Sequence, residues 1–213
     1  MSRRIVVVSA GVGTPSTTRL LADQLADATL AQVTARGEGV EFTHIELREL
    51  ATDLATMMTT GMSPTALDNA FNLVRSADGI IAVSPVFAAS YSGLFKMFFD
   101  AIDKDALVGK PVLMGANAGT ARHSLAVEYA MRPLFAYLRA DIVPTGVFAA
   151  TDDFGSGDEL NGRVRRAAEE FATHVVREEG NVVGFKSNSF EADAPLRSPK
   201  GFADLLKGHS GRR

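Results

Sequence analysis

Ile5-Val6-Val7-Val8-Ser9-Ala10-Gly11-Val12-Gly13-Thr14-Pro15-Ser16-Thr17-Thr18-Arg19 is the stretch on which the fold turns. Its first four residues are continuously apolar and β-branched, where a half-exposed strand would alternate, so they suit a strand covered by helices on both faces. The same signature returns at Gly79-Ile80-Ile81-Ala82-Val83 and at Pro111-Val112-Leu113-Met114. Val40 to Leu47 alternates more, with Phe42 and Ile45 among polar neighbours, and reads as a strand nearer an edge. Ile142 to Phe148, interrupted by Pro144 and Gly146, makes a fifth. Between the strands lie helical patterns carrying Leu21, Leu25 and Ala28, then Leu94, Phe95, Phe98, Phe99 and Ile102, then about Ala121 to Arg139, and last Val164, Ala168, Phe171 and Val175. Strand and helix alternate throughout, which implies right-handed crossovers and a doubly wound α/β fold. A flavodoxin-like five-stranded parallel sheet of order 2-1-3-4-5 is the expected solution.

The 213 residues, 46% hydrophobic and 22% charged, are enough to bury one core without disulfides or metals. No run approaches the roughly 18 apolar residues of a membrane helix, and a net charge of −3 offers no broad basic surface, so neither a membrane nor a nucleic acid is an expected partner. The absence of cysteine excludes thiol nucleophiles, thiolate zinc sites and iron–sulfur clusters from this sequence, leaving redox chemistry to an organic cofactor. His44, His123, His174 and His209 lie on different elements without ligand spacing, and no metal site is expected. Arg3 and Arg4 before a short apolar run only faintly resemble a signal peptide, so a cytoplasmic location is expected. Residues 1–185 read as one domain. The last 28 residues, 186–213, hold six Lys or Arg against three Asp or Glu and read as a flexible tail, in which Phe202, Leu205 and Leu206 could form one amphipathic turn.

In such a sheet, ligands bind outside the carboxyl ends of the strands. Three loops therefore belong together. The first, Ser9 to Arg19, lacks the third glycine of a dinucleotide-binding turn, and no acid stands about 20 residues on, since Glu46 comes too late. A Walker loop fails too, because no Lys-Ser or Lys-Thr follows. What remains is Ser9, Ser16, Thr17 and Thr18 around a helix N-terminus with Arg19 just inside it, a monophosphate site built from hydroxyls, free amides and the helix dipole; the alternative is that Ser16 or Thr17 merely caps the helix, but four hydroxyls exceed what one cap requires. The second loop, Ser84-Pro85-Val86-Phe87-Ala88-Ala89-Ser90-Tyr91-Ser92-Gly93, lets backbone approach a flat ligand and offers aromatic surface at Phe87 and Tyr91. The third, Gly115-Ala116-Asn117-Ala118-Gly119-Thr120-Ala121-Arg122-His123, leaves a slot between small residues.

The hydroxyl-rich loop with PSTTR, the run SPVFAASYSGLFKMFFD and the run GANAGTARHSLAVEYAMRPLFAYL together resemble the NADPH-dependent FMN reductase family over about residues 4–178. The resemblance is to reductases that supply reduced flavin to two-component or luciferase-like monooxygenases. It implies hydride transfer from NAD(P)H to FMN, with the phosphate at Ser9, Ser16, Thr17, Thr18 and Arg19. It places the ring against Pro85, Val86, Phe87 and Ala88, with Ser90, Tyr91, Ser92 and Gly93 nearby and Ala118, Gly119 and Thr120 on the other side. Arg122 and His123 would meet the nicotinamide nucleotide's phosphates, or else solvate the start of a helix. No catalytic side chain is required, since the cofactor carries the chemistry. The first loop reads AGVG where the family commonly has GSPR or GSLR, so the arginine of that form is missing, and Arg19 either compensates or only faces solvent.

Two other functions remain open to the sequence: a flavodoxin-type electron carrier, and a quinone or azo-dye reductase that retains its FMN. Asp100, Asp103 and Asp105 are expected to solvate a helix end. Part of the Leu94 to Ile102 stripe is expected at a subunit interface. Pro133, inside a helical pattern, lacks the N–H that would bond the Tyr129 carbonyl, so a kink or π-bulge is expected at Tyr129. The resemblance adds that this helix packs against its counterpart in a homodimer or homotetramer.

Overall fold

The computed structural model describes residues 2–156 and 158–176. Ser2–Ser9 (β1), Gly39–Glu46 (β2), Gly79–Phe87 (β3) and Pro111–Ala118 (β5) are parallel neighbours in the order β2-β1-β3-β5, and Asp141–Ile142 (β6) continues the sheet beside β5. The five expected strands thus stand in the expected order, with two differences of detail. A two-residue strand, Ser90–Tyr91 (β4), folds back antiparallel on the end of β3. The fifth strand is broken into β6 and Val147–Ala150 (β7), both parallel to β5. Pro144 cannot donate to a ladder, and the polar groups of the break are satisfied elsewhere: Thr145 N–H donates to Glu170 at 2.8 Å, and Arg132 donates to the Pro144 carbonyl at 2.8 Å.

The continuous apolar runs are explained by two cores, one on each face. Alternate residues Val6, Val8, Ile80, Ala82, Val112 and Met114 face one core, built with Ala51–Thr60 (α2), Thr65–Ser76 (α3), Gly93–Ala101 (α4) and Arg132–Tyr137 (α5). Their neighbours Ile5, Val7, Ile81, Val83 and Leu113 face the other, built with Thr17–Ala35 (α1) and Asp158–Val175 (α6). Phe95, Phe98, Phe99 and Ile102 are all buried within the chain, with Phe99 and Phe135 rings 5.0 Å apart. The interface expected for part of this stripe is therefore corrected for these four residues: the helix spends them on the first core. Only Leu94 of the stripe is half-exposed. Asp100 pairs with Lys96 at 2.6 Å, Asp105 pairs with Arg139, and Asp103 caps a turn through the Asp105 N–H.

The expected fault at Tyr129 is present. Val127–Met131 is a π-helical turn leading into α5, with Pro133 in the first turn of that helix. The expected helix from about Ala121 is otherwise shorter, starting with a 3₁₀ turn at Ala121–His123. The first structural unit covers residues 1–177. The expected boundary at 185 and the tail 186–213, with Phe202, Leu205, Leu206 and His209, lie outside the described residues.

Candidate functional site

At the carboxyl ends of β1, β3, β5 and β7 a cleft of about 210 Å³ is lined by Val12, Gly13, Pro15, Ser16, Thr17, Thr18, Pro85, Val86, Phe87, Asn117, Ala118, Gly119 and Thr151. The three loops do converge. Its floor is the start of α1. Ser16 is the N-cap, its Oγ accepting the Arg19 N–H at 3.2 Å and its carbonyl accepting the Leu20 N–H at 3.0 Å. The amides of Thr17 and Thr18 precede any intrahelical acceptor, and no acid stands in the first turn, so the positive end of the helix dipole is unopposed by its own residues. Gly11 is required: a Cβ there would lie 2.1 Å from Ser16 Oγ and 3.0 Å from Thr18 Cβ. Ser9 is buried behind the loop at 3% exposure and does not line the cleft.

Arg19 does not compensate for the missing loop arginine. Its guanidinium turns away to Asp23 at 2.7 Å and Glu46 at 2.6 Å, and these partners, the Asp23 hydrogen bond foremost, raise its pKa. Arg48 reaches the loop instead. It follows β2, donates to Thr14 Oγ1 and more weakly to the Gly13 carbonyl at 3.5 Å, and contacts the second oxygen of Glu46 at 3.2 Å. Beside this cluster His44 is held below its ordinary pKa, chiefly by burial and then by the Arg19 charge.

The second loop is a β-hairpin. Ala88 and Ala89 form its turn with φ of 47° and 67°, a strained choice for residues that are not glycine. Ser84 fixes it from within: its buried Oγ accepts the Ser92 N–H at 2.9 Å and donates to the Pro85 carbonyl at 2.9 Å. Ser92 is itself buried and caps α4 by accepting the Phe95 N–H at 3.3 Å. Tyr91 packs its ring against Phe95, centroids 5.6 Å apart, so of the two expected aromatic surfaces only Phe87, 49% exposed, lies at the cleft. Ala88, Ser90, Tyr91, Ser92 and Gly93 support the hairpin beside the cleft and are not among its lining residues. Gly93 has open space where a Cβ would stand.

In the third loop Ala118 and Gly119 line the cleft, while Thr120, Arg122 and His123 are exposed beyond its edge. Asn117 and Thr151 line it without having been singled out from the sequence. Asn117 Nδ2 donates to Thr17 Oγ1 at 2.9 Å, tying the third loop to the first. Among the described residues no group of three or more histidines or carboxylates could hold a metal ion.

This donor set suits a phosphate monoester on a polyol chain. Amides and hydroxyls surround a helix start, and a small apolar wall of Pro85, Val86 and Ala118 lies beside them. The NADPH-dependent FMN reductase family model matches residues 3–155. An FMN reductase (NADPH) of Pseudomonas aeruginosa is 36% identical over 175 residues, covering 79% of this chain and 90% of the relative. The NADH-dependent FMN reductase SfnE of Pseudomonas putida is 38% identical over 173 residues, 79% and 91% of the two chains. The crystal structure of an oxidoreductase from Corynebacterium diphtheriae superposes with a TM-score of 0.80 at 51% identity, over 83% of this chain and 98% of the other.

Proposed function

Because the chain belongs to the NADPH-dependent FMN reductase family and is an NAD(P)H:FMN oxidoreductase, transferring hydride from NAD(P)H to FMN, we propose that the cleft at the strand ends is where FMN is held, phosphate inward. The observation that carries this placement is the hydroxyl cradle of Ser16, Thr17 and Thr18 at the start of α1, closed so tightly that Gly11 admits no Cβ. These hydroxyls and the free amides bind the phosphate. Arg48, which donates to Thr14 of the loop and shares Glu46 with Arg19, brings a guanidinium to the loop that Arg19, held by two carboxylates, does not. Pro85, Val86 and Phe87 form one side of the ring site, and Ala118 and Gly119 the other.

When bound, FMN supplies the ring that accepts two electrons from the nicotinamide. The protein binds and orients. A cleft of about 210 Å³ is below the roughly 300 to 1,000 Å³ of sites that enclose a drug-sized ligand, so it grips the phosphate and sugar chain and leaves a ring face open to a second substrate. Arg122 and His123, exposed beyond the cleft edge, meet the phosphates of the nicotinamide nucleotide. The same openness favours exchange of flavin, and a flavin-dependent monooxygenase is the consumer we assign to the reduced product. No helix among the described residues is long and apolar enough to cross a membrane, and we place the reaction in the cytoplasm. Leu125 and Tyr129, 63% and 78% exposed on and beside the π-helical turn, support a homodimer or homotetramer formed through that segment.

The test is stopped-flow and steady-state oxidation of NADPH by protein stripped of flavin. Turnover should rise with free FMN as the only acceptor and continue for many equivalents. A single equivalent oxidised, with further turnover only on adding a quinone or azo dye, would overturn release of FMN in favour of retention. Sedimentation at micromolar concentration tests the assembly, and a monomer would remove it.

A further inference from the structure

Asn117 occupies the penultimate position of β5 and is only 7% exposed, yet its carboxamide is half-used. Nδ2 donates to Thr17 Oγ1 at 2.9 Å, while Oδ1 is buried with no hydrogen-bond partner in the protein. Both groups belong to residues lining the cleft. A threonine hydroxyl has one proton and can accept as well as donate. With Asn117 donating to Thr17 Oγ1, the Thr17 proton is turned away from Asn117 and left for another acceptor. A buried carbonyl oxygen without a partner costs free energy that an incoming donor removes. The cleft therefore asks for a ligand that presents an acceptor beside Thr17 and a donor beside Asn117.

We propose that Asn117 is a specificity-determining residue of this site, orienting the Thr17 hydroxyl proton toward a phosphate oxygen and accepting a hydrogen bond from a hydroxyl of the adjoining polyol chain. The inference rests on the flavin placement above and adds what part of the flavin is read. A phosphate dianion has acceptors only, so it satisfies Thr17 and cannot satisfy Oδ1. The ribityl hydroxyls, the nearest donors to that phosphate along the molecule, can. Asn117 is thus a binding residue toward the sugar chain and a positioning residue toward the phosphate.

Three ligands separate these roles: FMN carries both groups, riboflavin only the polyol, and lumiflavin neither. Binding is read by quenching of flavin fluorescence with Asn117→Leu, Thr17→Val and the double variant. Asn117→Leu should weaken FMN by roughly 30-fold and riboflavin by about fivefold, and leave lumiflavin within about twofold. For FMN the double variant should lose at least about threefold less than the product of the single losses, because both remove one relay; for riboflavin the losses should multiply. Equal weakening of all three ligands, or multiplicative losses with FMN, overturns the proposal. If Asn117→Leu fails to fold, Asn117→Ser is measured in its place, and because the readout is a ratio among ligands within one variant, a general loss of stability cancels. A parent protein that binds FMN no tighter than lumiflavin overturns the flavin placement itself, a result distinct from either failure.

Discussion

Replacing Gly11 by alanine would place a Cβ 2.1 Å from Ser16 Oγ, 3.0 Å from Thr18 Cβ and 3.2 Å from Thr18 Oγ1. No real structure holds such a separation, so Ser16 must rotate or the loop must lift. Either movement breaks the cap on the Arg19 N–H, a loss of about 1 kcal/mol of stability, which for a chain of this size lowers Tm by about 2 to 4 °C. The same movement takes Ser16 and Thr18 off the phosphate. One charge-assisted hydrogen bond lost costs about 1.5 to 3 kcal/mol, or roughly 10- to 150-fold, so with both hydroxyls displaced FMN affinity should fall by at least about 10-fold while the protein stays folded. Fluorescence titration with FMN and a thermal melt measure the two effects separately. Gly11→Ala protein that binds FMN within about threefold of the parent would refute the reasoning, because the loop would then have a shape that does not depend on the Ser16 hydroxyl. A fall in Tm of more than about 10 °C would also refute it, by assigning Gly11 to the core instead of the cradle.

Gly93 is the contrasting glycine, with nothing within 4 Å of an added Cβ and no place in the cleft lining; Gly93→Val should melt like the parent and bind FMN within about threefold of it, and a loss of about tenfold or more in fluorescence titration would put the ring against the start of α4. Arg48→Gln should lower the preference for FMN over riboflavin by about fivefold, the worth of one exposed charge of about 1 kcal/mol, whereas Arg19→Gln should leave that preference unchanged; the reverse ranking in titrations at low salt would return the phosphate charge to Arg19. His44 has a folded pKa below its ordinary 6.5, so the unfolded chain takes up the proton first as pH falls: its contribution to stability is full above about 6.5 and is lost below it. Denaturant midpoints should therefore fall less between pH 7 and pH 5.5 in His44→Phe than in the parent, and parallel curves would remove His44 as a cause.

The fold was legible because its signals are local. Four continuously apolar or alternating runs were enough to set the layers and the strand order, and Pro133 announced the helical fault at Tyr129 because the missing N–H and the orphaned carbonyl are four residues apart. The hydroxyl loop was legible for the same reason, as a cap, a helix start and a glycine pair in one stretch. The parts that were not legible depend on distant partners. Arg19 stands in the right place to meet a phosphate, but two carboxylates turn it aside: Asp23, one helical turn on and so within reach of the sequence, and Glu46, which arrives from the end of β2, 27 positions away. The same approach brings Arg48 onto Thr14. Asn117 meets Thr17 across 100 positions. The Ala88-Ala89 turn carries none of the glycine or asparagine that two positive φ values usually demand, so the hairpin and its inward-turned Tyr91 had no local mark. The Phe95 to Phe99 face is wider than one sheet can cover, which in sequence alone points to another subunit, whereas α5 supplies the covering ring of Phe135.

The broken fifth strand and the π-helical turn are one device. Between the pairs Val112 with Ile142 and Gly115 with Val147, β5 advances three residues while the fifth strand advances five, so two residues are thrown out of the ladder. A Cβ on Gly146, inside that excursion, would lie 2.3 Å from Val127 Cγ1 at the start of the π-helical turn. The excursion thus makes room for the turn, and Arg132, one residue beyond it, donates to the carbonyls of Val143 and Pro144 that the break sets free. With its register reset, β7 pairs with the far end of β5 at Gly115–Ala118 and lies next to the Ala121–His123 turn. That pairing carries Thr151 to the edge of the cleft opposite the hydroxyl loop. A regular fifth strand would run past Val112 without the reset, placing a different residue at the cleft and closing the space the π-helical turn occupies. The irregularities that local pattern reading treats as interruptions, Pro133 in the helix and Pro144 with Gly146 in the strand, are what fit the two elements together beside the cleft.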